Sequence, residues 1–142
     1  MNYGYQKVVE KSFEKTEELV REKLAENGFG ILTEISVNKA MKEKLNKNFR
    51  RYKILGACHP PLAFDALSEE LEIGLLLPCN VTVWENNDNT ITVTAIDAEK
   101  IINITGNKNL HGLSIKVNSW LKRALDSIWQ LAYFGCHDFR KR

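Results

Sequence analysis

Two segments with helical spacing of apolar residues, one near each end of the chain, most constrain the fold of this 142-residue sequence. Apolar side chains recur every three to four residues over 12–27 and again over 110–128, so each segment predicts a helix with one buried stripe. Ser12 suits the N-cap of the first helix because its hydroxyl can accept a hydrogen bond from an unpaired backbone amide. Gly28 suits the left-handed residue that ends this helix.

Segments typical of β-strands lie between the two helices. They are residues 5–10, 29–37, 52–57 and 73–85, the last with a bend or break at Pro78, since proline cannot donate to a ladder. The sequence Asn86-Asn87-Asp88-Asn89 is typical of a turn. Val81 and Val83 before this turn mirror Ile91 and Val93 after it, which predicts a β-hairpin.

Three short helices are predicted in the connections, over 38–47, 61–70 and from Asp97 to near Gly106. Two long helices with antiparallel-type strands between them predict an α+β fold, in which one antiparallel sheet is covered on one face by both helices. The other face of the sheet is then polar, dimerised or ligand-lined.

Composition excludes several classes of protein. Twenty basic and eighteen acidic side chains leave a net charge of +2, too small for strong attraction to nucleic acid, which is not an expected partner. No apolar run approaches the roughly 20 residues that cross a bilayer, and the amino terminus lacks the apolar stretch of a signal peptide. We therefore expect a cytoplasmic protein with no transmembrane segment. Cys58, Cys79 and Cys136 are odd in number and widely spaced, which predicts free thiols.

Two short motifs point to a known family. Ala57-Cys58-His59-Pro60 and, further along, Leu77-Pro78-Cys79-Asn80-Val81 occur in an order that ordinary strands rarely reproduce. With the stretch 27–35, they resemble the domain of unknown function 302 family over roughly residues 5–128. The resemblance implies a curved antiparallel sheet in a β-α-β4-α arrangement like that of the TATA-box-binding protein, a homodimer, and no established activity. His59 departs from the asparagine-like residue expected at its position.

The resemblance divides the chain into a single α+β domain, residues 1–128, and a C-terminal extension, residues 129–142. The extension is aromatic, ends on Arg140-Lys141-Arg142 and is predicted to be helical. A membrane-surface helix, a partner-docking helix and a helix that packs back on the domain or across a dimer all have such a composition. Packing is favoured, because Gly135 and Asp138 interrupt the apolar face.

The candidate ligand-binding or redox residues are Cys58, His59, Pro60, Pro78 and Cys79. Each cysteine adjoins a proline-marked strand end, and two neighbouring strands would bring both thiols to one rim of the sheet. Two such thiols could bind a soft metal ion or form a reversible disulfide. The alternative is that each is a small buried apolar residue, which is common for free cysteine.

No metal site is predicted. Adjacent residues on a strand point to opposite faces, so Cys58 and His59 cannot both bind one ion within a strand, and neither they nor Cys136-His137 have the spacing of known metal motifs. The acidic group Asp65, Glu69, Glu70 and Glu72 is typical of the solvated face of a short helix.

These observations favour a small homodimeric module that binds a ligand or a partner without catalysis. The alternative function is a thiol-based redox or metal-linked protein that uses Cys58 and Cys79. The sequence identifies neither the ligand nor a cofactor, and no common enzyme signature is present. DNA binding is disfavoured, since the necessary excess of basic residues is missing.

Overall fold

The computed structural model describes the backbone of residues 3–141 and the side chains of residues 3–128. The strands are β1 (Gly4–Val9), β2 (Gly30–Ser36), β3 (Tyr52–Cys58), β4 (Cys79–Glu85) and β5 (Ile91–Ile96). The helices are α1 (Phe13–Glu26), α2 (Val37–Leu45), α3 (Pro60–Glu69), α4 (Ala98–Asn103) and α5 (His111–Lys141). Two 3₁₀ helices cover Leu71–Leu76 and Lys108–Leu110.

The five strands form one sheet in the order β1-β5-β4-β3-β2, and every neighbouring pair is antiparallel. In the predicted hairpin, Val83 lies opposite Val93, and Asn89 takes a left-handed conformation with φ of 67° in the turn. The predicted α+β class with a single antiparallel sheet is therefore confirmed.

Both ends of α1 have the predicted caps. The backbone amide of Lys15 donates to the Ser12 hydroxyl at 3.1 Å. At the other end Gly28 has φ of +86°, and its amide and that of Phe29 donate back to the carbonyls of Ala25 and Leu24, respectively. This pair of bonds is a Schellman motif. It directs the buried Phe29 ring toward the core at the start of β2.

The main core lies between the sheet and helices α1 and α5. Alternate residues of the strands point toward the helices. With the apolar stripes of α1 and α5 they form one cluster, which includes Leu24, Leu55, Val81, Val93 and Leu125. All five of these side chains are fully buried.

The strand predicted for 73–77 is wrong. Residues 71–76 form a 3₁₀ helix, and β4 begins only at Cys79, directly after the predicted break at Pro78. The apolar run Leu75-Leu76-Leu77 has no periodicity that separates a buried strand from a buried helical turn. A longer β4 would also lack a partner, because β3 ends at Cys58 and α3 begins at Pro60.

The backbone of α5 continues as a helix to Lys141. The predicted packing of the extension depends on its apolar and aromatic side chains, which lie outside the described part: Trp129, Leu131, Tyr133, Phe134 and Phe139. The side chains of Cys136 and His137 also lie outside it. The boundary between residues 1–128 and 129–142 stays a prediction. Among the described residues, no helix combines the length and apolar character needed to cross a membrane.

Candidate functional site

A cavity of about 260 Å³ lies at one end of the sheet. Its walls come from the ends of β3 and β4, α3, the first 3₁₀ helix, α4 and the first turns of α5. We call it the end cavity. Leu32 also lines it and is 68% exposed, so the cavity reaches the protein surface along β2.

Small residues on α3 leave this space open. Pro60 and Pro61 begin the helix, where a missing amide is tolerated and the fixed φ suits the first turn. Ala63 and Ala66 then face the cavity together with Leu62 and Leu67. Alanine methyl groups are short, so they leave open space between α3 and the opposite wall of the cavity.

The second buried cluster of the protein surrounds the cavity and is smaller than the main core. Among the described residues, its buried members are Ala66, Ile73 and Leu110. Its other members are partly exposed, namely Leu67, Leu76, Leu77, Ile102 and Leu113. Glu69, which belongs to the acidic group predicted to be solvated, makes a hydrogen bond at this cluster. The Asn109 side-chain amide donates to its carboxylate at 2.8 Å and so connects α3 to the second 3₁₀ helix.

His59 is held between two aromatic rings at the wall of the cavity. Its imidazole stacks on Trp120 with centroids 4.4 Å apart and meets Phe29 edge-on at 5.4 Å. A Cβ atom at Gly28 would lie 2.6 Å from the His59 Nε2 atom, so glycine is needed there for close approach as well as for its positive φ. The Nδ1 atom of His59 is buried without a hydrogen-bond partner among the described residues.

The thiol of Cys79 is held in its neutral form. Cys79 lies opposite Ala57 in the sheet and packs against the main core. Burial, with a smaller contribution from the neighbouring Cys58 thiol group, raises the pKa of Cys79 to about 11. Since the thiolate is the nucleophile and the metal ligand, a neutral thiol is unsuited to either role at neutral pH.

The lining residues within the described part of the chain include no aspartate, glutamate, lysine or arginine. Their polar groups are the His59 ring, two thiols and the hydroxyl of Ser114, which already donates to the carbonyl of His111 at 2.7 Å. Over the same described residues, no three histidine, cysteine or acidic side chains come close enough to hold a metal ion. The chemistry of the site is that of an apolar pocket with one unsatisfied ring nitrogen.

Four of the five predicted site residues line the end cavity: Cys58, His59, Pro78 and Cys79. Pro60 does not line it and begins α3 instead. Sequence reasoning missed the wall from α5, where Leu113 and Val117 face the cavity and Trp120 supports His59. The helical spacing of apolar residues predicted that α5 has a buried face. The local sequence does not indicate which part of that face lies on the sheet and which part lies on a cavity.

The fold and the sequence both match known proteins of one family. The solved structure of an uncharacterized conserved protein DUF302 from Bacillus stearothermophilus is 27% identical, with a TM-score of 0.82 over 89% of this chain and 98% of that chain. No curated protein matches this chain significantly. Residues 5–128 match the family described as Domain of unknown function DUF302. Because this match covers most of the sequence, the chain belongs to the DUF302 family.

Proposed function

We propose that this protein binds a small, neutral, largely apolar molecule in the end cavity, without chemical turnover. The observation that carries the proposal is a space of about 260 Å³ that is lined almost entirely by apolar groups. Protein interiors contain few voids larger than a water molecule, and an apolar cavity of ~150 Å³ already takes up benzene. The end cavity is large enough for a bicyclic aromatic or a medium-length aliphatic molecule.

The polar groups of the cavity define the chemistry of the ligand further. A charged ligand would lose its hydration without gaining a counter-charge from the described lining residues. The buried Nδ1 atom of His59 can make one hydrogen bond. We therefore expect a ligand with an apolar body and a single neutral polar group, such as a hydroxyl or a ring nitrogen. In this proposal, the ligand makes only apolar contacts with Cys58, Pro78 and Cys79.

Thermal unfolding with paired probes tests the proposal. Indole and 1-octanol are expected to raise the melting temperature, whereas octanoate, which has a similar chain and a negative charge, is expected to have little effect. Saturation at a hundred times Kd adds about 2.7 kcal/mol of stability, a shift of roughly 5–10 °C for a chain of this size. A larger shift with octanoate than with 1-octanol would contradict the neutral character of the site.

A cavity-filling variant locates the binding. Ala66→Phe places a ring in the end cavity and is expected to abolish the shift. Ala25→Phe makes the same chemical change at an exposed position of α1 and is expected to keep it. If both variants lose binding equally, or if both keep it, the end cavity is not the binding site.

The assembly that we propose is a homodimer. Edge strand β2 supports it, because Leu32 and Ile35 are exposed there and an uncovered edge with apolar side chains is a surface at which chains associate. Sedimentation velocity at several protein concentrations tests the dimer, and a monomer throughout would contradict it. The cytoplasmic location and the finer likeness to the TATA-box-binding protein stay predictions.

A further inference from the structure

The two faces of the sheet differ in charge. The face under α1 and α5 carries Lys7, Glu34 and Lys53, and each of the three forms an ion pair with a residue of these helices. We call the face that points away from α1 and α5 the open face. Its strand residues alternate with those of the main core, and none of them is an aspartate, glutamate, lysine or arginine. Val8 and Ile35 on this face are 44% and 50% exposed. Because charged side chains normally lie on exposed surfaces, a neutral open face points to a contact with a neutral partner.

A groove of about 340 Å³ crosses the open face and is lined by neutral polar side chains. Gln6, Thr94 and Thr82 lie side by side in one row across β1, β5 and β4, and Asn80 lines the groove beside them. None of these four side chains makes a hydrogen bond to another described residue. The Thr94 hydroxyl is also buried, and a buried polar group without a partner is unfavourable. The groove therefore offers amide and hydroxyl groups that are not used within the fold.

The aromatic wall of the groove is fixed in place. Trp84 stacks on Tyr52 with ring centroids 5.5 Å apart and planes within 8°. The indole Nε1 of Trp84 donates to the side-chain oxygen of Asn86 at 3.0 Å. The Asn86 amide in turn donates to the hydroxyls of Thr90 at 3.0 Å and Thr92 at 2.8 Å. Since these contacts already restrict both rings, a ligand that packs on them costs little conformational freedom.

The chemistry of the lining selects the class of ligand. The lining residues, all of them described, include no aspartate, glutamate, lysine, arginine or histidine, so an ionic ligand would gain no counter-charge. Amide and hydroxyl side chains both donate and accept, as the hydroxyl groups of a sugar do. The faces of a sugar ring present C–H bonds that pack on aromatic rings. The volume is at the lower end of the ~300–1,000 Å³ range of ligand sites, which suits a mono- or disaccharide.

We infer that the groove of the open face binds a neutral saccharide, with one sugar ring on Trp84 and Tyr52 and its hydroxyl groups on Gln6, Asn80 and Thr82. The Thr94 hydroxyl then gains a partner from the sugar, directly or through a bridging water, since the exposed side chain of Gln6 opposite it can turn aside. The site is separate from the end cavity, because no described residue lines both. It therefore goes beyond the apolar ligand proposed above and does not depend on it.

NMR titration with glucose, cellobiose and maltose tests the site. The indole N–H signal of Trp84 and the methyl signals of Thr82 and Thr94 should shift saturably with at least one of these neutral sugars. The indole N–H signal of Trp120, which stacks on His59 beside the end cavity, should stay in place. Glucuronate, a sugar with a negative charge, should cause no shift. No saturable shift with any neutral sugar, or an equal shift with glucuronate, would overturn the inference.

Matched variants locate the binding. Asn80→Ala removes an exposed amide from the groove and is expected to raise the saccharide Kd about three- to tenfold, as the loss of one neutral hydrogen bond should. Asn87→Ala makes the same change at an exposed position of the turn between β4 and β5, outside the groove lining, and should leave the Kd unchanged. Thr94→Val removes the unpartnered hydroxyl, so it should raise the melting temperature of the free protein and still weaken saccharide binding.

Equal Kd values for the wild type, Asn80→Ala and Thr94→Val would overturn the assignment of the groove. An effect of Asn87→Ala as large as that of Asn80→Ala would also overturn it. Shifts of the Trp84 and Thr94 signals that grow with protein concentration in the absence of sugar would assign the open face to a second copy of the chain instead. Indole binding in the end cavity is measured separately through the melting temperature, so either site can fail while the other stands.

Discussion

The main core and the end cavity are built from the two ends of the same strands, yet they are packed very differently. In the main core, Leu24, Val81 and Leu125 are fully buried and belong to one continuous cluster. The smaller cluster beside the end cavity has three buried residues in the described part of the chain, and an open space remains between the lining side chains. The contrast indicates that one region supplies the stability of the fold, which leaves the other free to keep a volume for a ligand.

The largest expected effect comes from the main core. Leu24→Ala removes a fully buried side chain of α1, and the surrounding strands and helices leave little room to collapse. We expect the free energy of unfolding to fall by about 3–4 kcal/mol, measured by urea denaturation. Indole should still bind to the folded fraction of this variant. A loss below ~1 kcal/mol would mean that the main core is as loosely packed as the end cavity.

Two matched substitutions of alanine by leucine compare the packing of the main core and of the end cavity, with a smaller expected change in stability. Ala124→Leu adds atoms to α5 where the main core is full and is expected to cost about 2 kcal/mol through overpacking. Ala66→Leu adds the same atoms to α3 at the end cavity and is expected to cost less than ~1 kcal/mol or to stabilise. Chemical denaturation of both variants gives the comparison, and equal costs would contradict it.

The smallest effect is a pH dependence at the boundary between the two regions. The folded state keeps the Cys79 thiol protonated up to a pKa of about 11, whereas an unfolded thiol ionises near its lower ordinary value. The unfolded state therefore loses its proton first, and stability falls as the pH rises from about 9 to 11. At pH 10, ionisation of Cys79 in the unfolded state should have lowered the free energy of unfolding by about 1 kcal/mol relative to neutral pH.

Cys79→Ala isolates that contribution from other groups that titrate in the same range. The wild type should lose about 1 kcal/mol more than the variant between pH 8 and pH 10. Alkylation of Cys79 should also stay slow until the pH approaches 11. Fast alkylation at pH 8 would instead restore the thiol-based redox function as a candidate.

Much of the fold could be predicted from local sequence signals. Ser12, Gly28 and Asp97 mark helix ends through hydrogen bonds that each residue makes within its own turn, and such signals are readable without tertiary structure. The Asn-rich turn between β4 and β5 likewise fixed the hairpin. The segment 73–77 was predicted wrongly because an apolar run without periodicity depends on its partners for its conformation.

The candidate site was only partly predictable. The two motifs place Cys58 and Cys79 at the ends of neighbouring strands, and the register of β3 and β4 brings them to one cavity. The size of that cavity depends on Ala63 and Ala66 facing the first turns of α5, which are distant in sequence. The support of His59 by Trp120 also depends on how α5 docks, and no local pattern encodes that contact.

Methyl NMR during titration with indole tests most directly whether the end cavity is the ligand site. The methyl signals of Leu62, Ile73 and Leu113, which line the cavity, should shift with increasing indole. Those of Val83 and Leu125 in the main core should stay in place. Shifts confined to the main core, or no saturable shift at any of these five residues, would contradict the account.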